Sequence, residues 1–92
     1  MFKEALGHTI RLERNQRSLN LRDVANKAYV ALGYLSEIER GHKDASSLII
    51  DRISHALGLP TSDLLYETAL NMQKLEQHRM EIEQLERELS NV

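Results

Sequence analysis

Apolar residues return along this chain at the spacing of a helix face, not of a strand. Phe2, Leu6 and Ile10 fall at four-residue steps and predict a first helix from Phe2 to Gln16. Asn20 predicts the start of a second, because its side chain can accept from the open amides of a first turn; Asp23 follows three residues on, near the positive end of the helix dipole. This helix runs from Leu21 to Ala28 and buries Val24 and Ala25. A third, from Leu32 to Arg40, buries Leu35 and Ile38 and is closed by Gly41, which takes a left-handed cap at least cost. Ser46 or Ser47 caps a fourth carrying Ile49, Ile50, Ile53 and Leu57, which Gly58 ends. Pro60 stands at or near the start of a fifth, followed by Leu64 and Leu65. β-Branched residues are sparse and nothing alternates over several positions, so no strand is predicted. No connection is long enough to serve as a lid.

Past Tyr66 the pattern changes. Residues 67–92 contain no Gly or Pro and are rich in Glu, Gln, Leu and Met. Leu75, Ile82 and Leu89 are spaced by seven, and Leu85 and Val92 lie three after the last two. That is a heptad with a and d filled except for His78 at the first d, although two and a half heptads are short for a coiled coil. A parallel pair would set Lys74 against Arg79 and Glu81 against Glu86, both like-signed. The tail is therefore expected to cross antiparallel or to pack on the body of a second copy; the alternatives are a helix folded back on its own domain or a frayed one. Residues 1–66 read as one domain and 67–92 as a dimerisation helix.

Composition removes whole classes of function. Hydrophobic residues at 41% and charged residues at 28% exclude a disordered chain. With Phe2, Tyr29, Tyr34 and Tyr66 as the only aromatics, the core must be Leu, Ile, Val and Ala. The absence of cysteine excludes disulfides, thiolate zinc sites and a cysteine nucleophile. His8, His42, His55 and His78 lack the paired spacing of metal ligands, so no metal and no cofactor is expected. Short amphipathic helices without a glycine-rich loop leave little room for a catalytic pocket, so no enzyme is expected. No apolar run reaches 18 residues and no secretion signal is visible, which points to a cytoplasmic protein with no membrane partner.

Taken as a sum, the net charge of −2 opposes binding to nucleic acid, whose phosphates require Lys and Arg. Its distribution does not. Residues 1–30 hold six Lys/Arg against three Asp/Glu, and residues 1–65 nine against eight; residues 66–92 hold three against six. The basic excess sits early and the acidic excess late.

The informative stretch is Leu21 to Gly41, LRDVANKAYVALGYLSEIERG. Two short helices joined by a tight turn cross steeply and need a small residue where they touch, which Ala25 supplies. Val30, Leu35 and Ile38 fill the turn and the inner side of the second helix. Its outer face then carries Leu32, Gly33, Ser36, Glu37 and Arg40, free to enter a major groove.

From Leu6 to Leu65 the sequence resembles the Cro/C1 (XRE) group of bacterial and phage helix-turn-helix regulators. The resemblance is carried by Leu6-Gly7, Ile10-Arg11-Leu12-Glu13-Arg14, Val24-Ala25, the run Tyr34 to Gly41, and Ala56-Leu57-Gly58-Leu59. LGYLSEIERG followed by KDASS is most similar to an actinobacterial subgroup, the activators of Clp protease genes. Four positions depart from the pattern. Tyr29 replaces the usual turn glycine, Ala31 a capping Ser or Thr, Ala45 a common proline, and Leu21 a polar residue expected to contact phosphate.

The resemblance implies an all-α fold, a five-helix domain followed by a C-terminal helix. It implies that Leu32, Gly33 and Glu37 face base edges, and that Arg22, Tyr34, Ser36, Arg40, His42 and Lys43 meet phosphates. Arg14 and Glu39 are implied as a partly buried ion pair tying the first helix to the recognition helix. The implied partners are double-stranded DNA, a second copy held through Leu75, Ile82, Leu85, Leu89 and Val92, and RNA polymerase if the protein activates. Two rival expectations are an antitoxin that also binds DNA, and a helical module that only recruits a protein partner.

Overall fold

The computed structural model describes residues 1–91, so Val92 and its expected place in a dimer lie outside the described residues. Those residues form five helices: α1 (Phe2–Gln16), α2 (Leu21–Ala28), α3 (Leu32–Glu39), α4 (Ser47–Ala56) and α5 (Thr61–Ser90). Two of the starts, those of α2 and α4, are fixed by a side-chain cap. Asn20 Oδ1 accepts from the Asp23 amide at 2.8 Å, and Asp23 Oδ2 accepts from the Asn20 amide at 2.9 Å, a reciprocal cap that satisfies two open donors of α2. Ser46, not Ser47, caps α4 by accepting from Ile49. Ala31 leaves α3 without a side-chain cap. Tyr29 takes the left-handed conformation its position requires, φ 57° and ψ 43°.

The fifth helix and the tail are a single element. Thr61–Ser90 has no Gly or Pro to interrupt it, so α5 passes through Tyr66 without a break and runs for 30 residues. The change at Tyr66 is one of composition, not of backbone. Packing on the body also continues beyond it. Leu64 and Thr68 are buried, and Asn71 Nδ2 donates to Thr9 Oγ1 at 2.7 Å; that hydroxyl in turn donates to the Ala5 carbonyl at 2.8 Å. From Gln73 onward every described residue is exposed.

The core is aliphatic: Leu6, Ile10, Val24, Ala25, Ala28, Leu35, Ile38, Ile50, Ile53, Ala56, Leu57 and Leu64 form one cluster. The helices ring it: α1 packs against α3 and α5, α2 against α3 and α4, and α4 against α5. At Gly7 the α1 and α3 backbones touch: a Cβ there would stand 2.6 Å from the Glu39 carbonyl oxygen and collide with that of Ile38. The free part of α5 projects from this body and draws the molecule out to 54 × 24 × 24 Å.

Candidate nucleic-acid interface

α3 is fastened from behind and open in front. Its inner side buries Leu35, Ile38 and Glu39. Glu39 is the charged member, its side chain only 1% exposed, and three arginine contacts hold it. Arg14 Nε lies 2.8 Å from Oε2 and Arg14 Nη2 3.0 Å from Oε1, a two-pronged grip, while Arg11 Nε reaches Oε1 at 3.4 Å. Arg14 Nη1 also donates to the Leu19 carbonyl at 3.0 Å, which ties the α1–α2 turn into the same knot. The hydrogen bonds to Glu39 raise the Arg14 pKa above its ordinary value, outweighing the opposing effect of burial.

The front of α3 presents Leu32, Gly33, Ser36, Glu37 and Arg40. Leu32 is 38% exposed, an apolar residue with a face to spare. A Cβ built at Gly33 meets nothing within 4 Å, so nothing in the protein requires glycine there. Gly33 lies in the first turn of α3 and leaves the backbone uncovered on that face.

The polar residues around this face differ in what they touch. Glu37 is half-buried; its Oε2 lies 3.0 Å from His42 Nδ1 and its Oε1 3.7 Å from Arg40 Nη1. Two of the residues expected at phosphates, His42 and Arg40, therefore stand beside the carboxylate expected at bases. Tyr34 is half-buried against the core, and its hydroxyl donates to the Asp44 carbonyl at 2.8 Å, bracing the α3–α4 turn. Lys43 in that turn and Arg22 at the start of α2 are exposed, with no ion pair among the described residues. Ser36 is half-buried on α3.

Leu75, Ile82, Leu85 and Leu89 lie on the projecting part of α5, 37%, 43%, 58% and 74% exposed. Their helix neither folds back on the body nor frays: Gln77 bonds Glu81 and Gln84 bonds Glu88 across single turns, each at 3.1 Å.

Several contacts had no place in the sequence reading. Gly7 was legible as a glycine in the middle of an otherwise regular helix. Asn71 was legible as a polar residue in the Leu64, Thr68, Asn71 row that faces inward. Arg11 carried no signal apart from lying near Arg14.

A helix-turn-helix family model matches residues 10–64. Over 76 residues the chain is 41% identical to the transcriptional regulator ClgR of Mycobacterium tuberculosis, covering 83% of this chain and 68% of that protein. The structure is similar to that of the clp gene regulator ClgR from Corynebacterium glutamicum, with a TM-score of 0.82 at 36% identity over 92% of this chain and 89% of the other. The restriction-modification controller protein C.AhdI from Aeromonas hydrophila shares the fold, with a TM-score of 0.66 at 22% identity over 67% and 94% of the two chains.

Proposed function

We propose that this chain, which belongs to the Cro/C1-type helix-turn-helix family and is a DNA-binding transcriptional regulator rather than an enzyme, binds a near-palindromic operator as a dimer through the major groove. The supporting observation is α3 itself, a helix fixed from behind by Glu39 and left open in front at Leu32, Gly33 and Glu37. Glu37, when ionised, only accepts, so it selects a cytosine or adenine amino group; Leu32 meets a thymine methyl, and Gly33 admits close approach. Arg22, Tyr34, Ser36, Arg40 and Lys43 contribute phosphate contacts, which set register without reading sequence. His42 joins them unless Glu37 holds it.

One recognition helix covers few base pairs, so selectivity calls for two. In a two-fold dimer the half-site centres lie about 34 Å apart, one turn of DNA. The projecting part of α5 supports this assembly: a solitary helix with an apolar row is marginal in water until something covers that row. Likeness to regulators named for clp genes supports protease and stress genes as targets. Whether the protein activates or represses depends on where its operator lies relative to the site of RNA polymerase.

Selection from random duplexes, followed by footprinting, tests this reading. The expected result is a two-fold symmetric motif with half-sites one turn apart, and a change at one base pair per half-site for Glu37→Gln. Absence of any enriched motif would reject it.

A further inference from the structure

The turn that ends α3 does more than stop the helix. Gly41, at φ +77°, reverses the chain so that the His42 amide donates back to the Glu37 carbonyl at 2.9 Å. The same reversal carries the imidazole onto the outer side of α3, where Nδ1 reaches Glu37 Oε2 at 3.0 Å. Arg40 Nη1 stands 3.7 Å from the other oxygen, within reach of an ion pair but beyond a hydrogen bond. The two carboxylate oxygens are therefore not equivalent. Oε2 is bonded, and Oε1 keeps its acceptor capacity.

This asymmetry bears on base reading. A glutamate on a helix surface has three rotatable torsions, and fixing them on binding costs free energy that a pre-held side chain avoids. We infer that His42 is a positioning residue for Glu37: by holding Oε2 it turns Oε1 toward the groove, where it accepts from a cytosine or adenine amino group. His42 then acts through Glu37 rather than on a phosphate. The inference rests on Glu37 reading bases, as proposed above. The charged groups around the pair are Arg40 on α3, Lys43 and Asp44 in the following turn, and Glu4 of α1, which packs against Gly41 while its carboxylate is paired with the Met1 amino group at 2.7 Å. Among the described residues the one side-chain partner of the His42 ring is Glu37.

The test uses the full chain as wild type, Glu37→Gln, His42→Ala and His42→Asn. An asparagine Nδ2 occupies nearly the place of a histidine Nδ1, so His42→Asn keeps the donor and loses the ring. Affinity is measured by fluorescence anisotropy for the duplex that wild type selects from a random library and for the same duplex changed at the base pair sensitive to Glu37→Gln. The expected discrimination by wild type is about tenfold, falling to within about twofold in His42→Ala and returning in His42→Asn. The slope of log affinity against log salt stays unchanged in all four. If His42→Ala weakens both duplexes alike and the slope falls by about 1, His42 is a phosphate contact and the inference is overturned. Undiminished discrimination in His42→Ala also overturns it. If Glu37→Gln itself selects the wild-type motif with full preference, base reading by Glu37 fails and the inference fails with it, an outcome visible in that variant alone.

Discussion

A methyl group added at Gly7 and one added at Gly33 would have opposite effects. At Gly7 it meets the Ile38 and Glu39 carbonyl oxygens, which are backbone and cannot swing aside. Gly7→Ala should force α1 and α3 apart and destabilise the fold by about 2–3 kcal/mol, read as a lower denaturant midpoint. At Gly33 the methyl meets open space, so Gly33→Ala should stabilise the fold by roughly 1 kcal/mol in the same measurement. If α3 enters the groove as proposed, Gly33→Ala should weaken operator binding all the same. The two arginines on Glu39 should also separate. Arg14→Ala removes the two-pronged contact from a carboxylate that is 1% exposed, and should cost about 3–5 kcal/mol. Arg11 is half-exposed and stands 3.4 Å away, so Arg11→Ala should cost less than about 1 kcal/mol. Urea titrations of both variants check the difference. Because the folded Arg14 pKa is raised, its contribution is fully present below the ordinary arginine value and is lost only as pH rises through the folded one, so from the arginine side the pair is constant across ordinary pH.

At the scale of the element, α5 has two environments in one helix. Up to Met72 it is part of the body, held by Leu64, Thr68 and the Asn71–Thr9 hydrogen bond. Beyond that it projects, with Leu75, Ile82, Leu85 and Leu89 toward solvent. A truncation at residue 70 would remove Asn71 and confuse assembly with stability. Ile82→Glu combined with Leu85→Glu leaves the body intact; if the projecting part holds the proposed dimer, light scattering or equilibrium sedimentation should report a dimer for wild type and a monomer for this variant. An unchanged mass would show that the projecting part is not the dimer contact. Helix limits were largely legible because caps are local. Asn20 with Asp23, Ser46 and Gly41 each act within a few residues of themselves, and the first two helices begin and end where the sequence places them. The continuity of α5 was less legible, because a shift from a mixed to a Glu- and Gln-rich composition resembles a boundary when the backbone has none.

At the scale of the whole molecule, charge and shape run together. The acidic residues of 66–92 lie on the helix that projects from the body, so the net charge of −2 misstates what α3 and its surroundings present. Association with the selected operator should fall steeply with salt. If a dimer makes about six to eight phosphate contacts, log affinity against log salt should slope at roughly −5 to −7. A nearly flat slope in anisotropy titrations would remove the phosphate contacts proposed for Arg22, Arg40 and Lys43. The legibility of the site was uneven for a similar reason. Which residues sit on the outer face of α3 follows from helical spacing, but whether they touch DNA or one another depends on where the chain turns next.

The first four helices, most of their caps, the aliphatic core and the face that α3 turns outward were written in the chain, because periodicity and capping are short-range and act within a turn or two. The sequence by itself also determined the family, through residues clustered between Tyr34 and Gly41. Only the tertiary structure decided that Gly7 is the contact point of two backbones and that Arg11 joins Arg14 on Glu39 across 25 or more positions. It alone joined Asn71 to Thr9 and set His42 on the Glu37 carboxylate. These contacts depend on distances between elements, which are set by how helices pack around a shared core and leave no periodic trace in the chain.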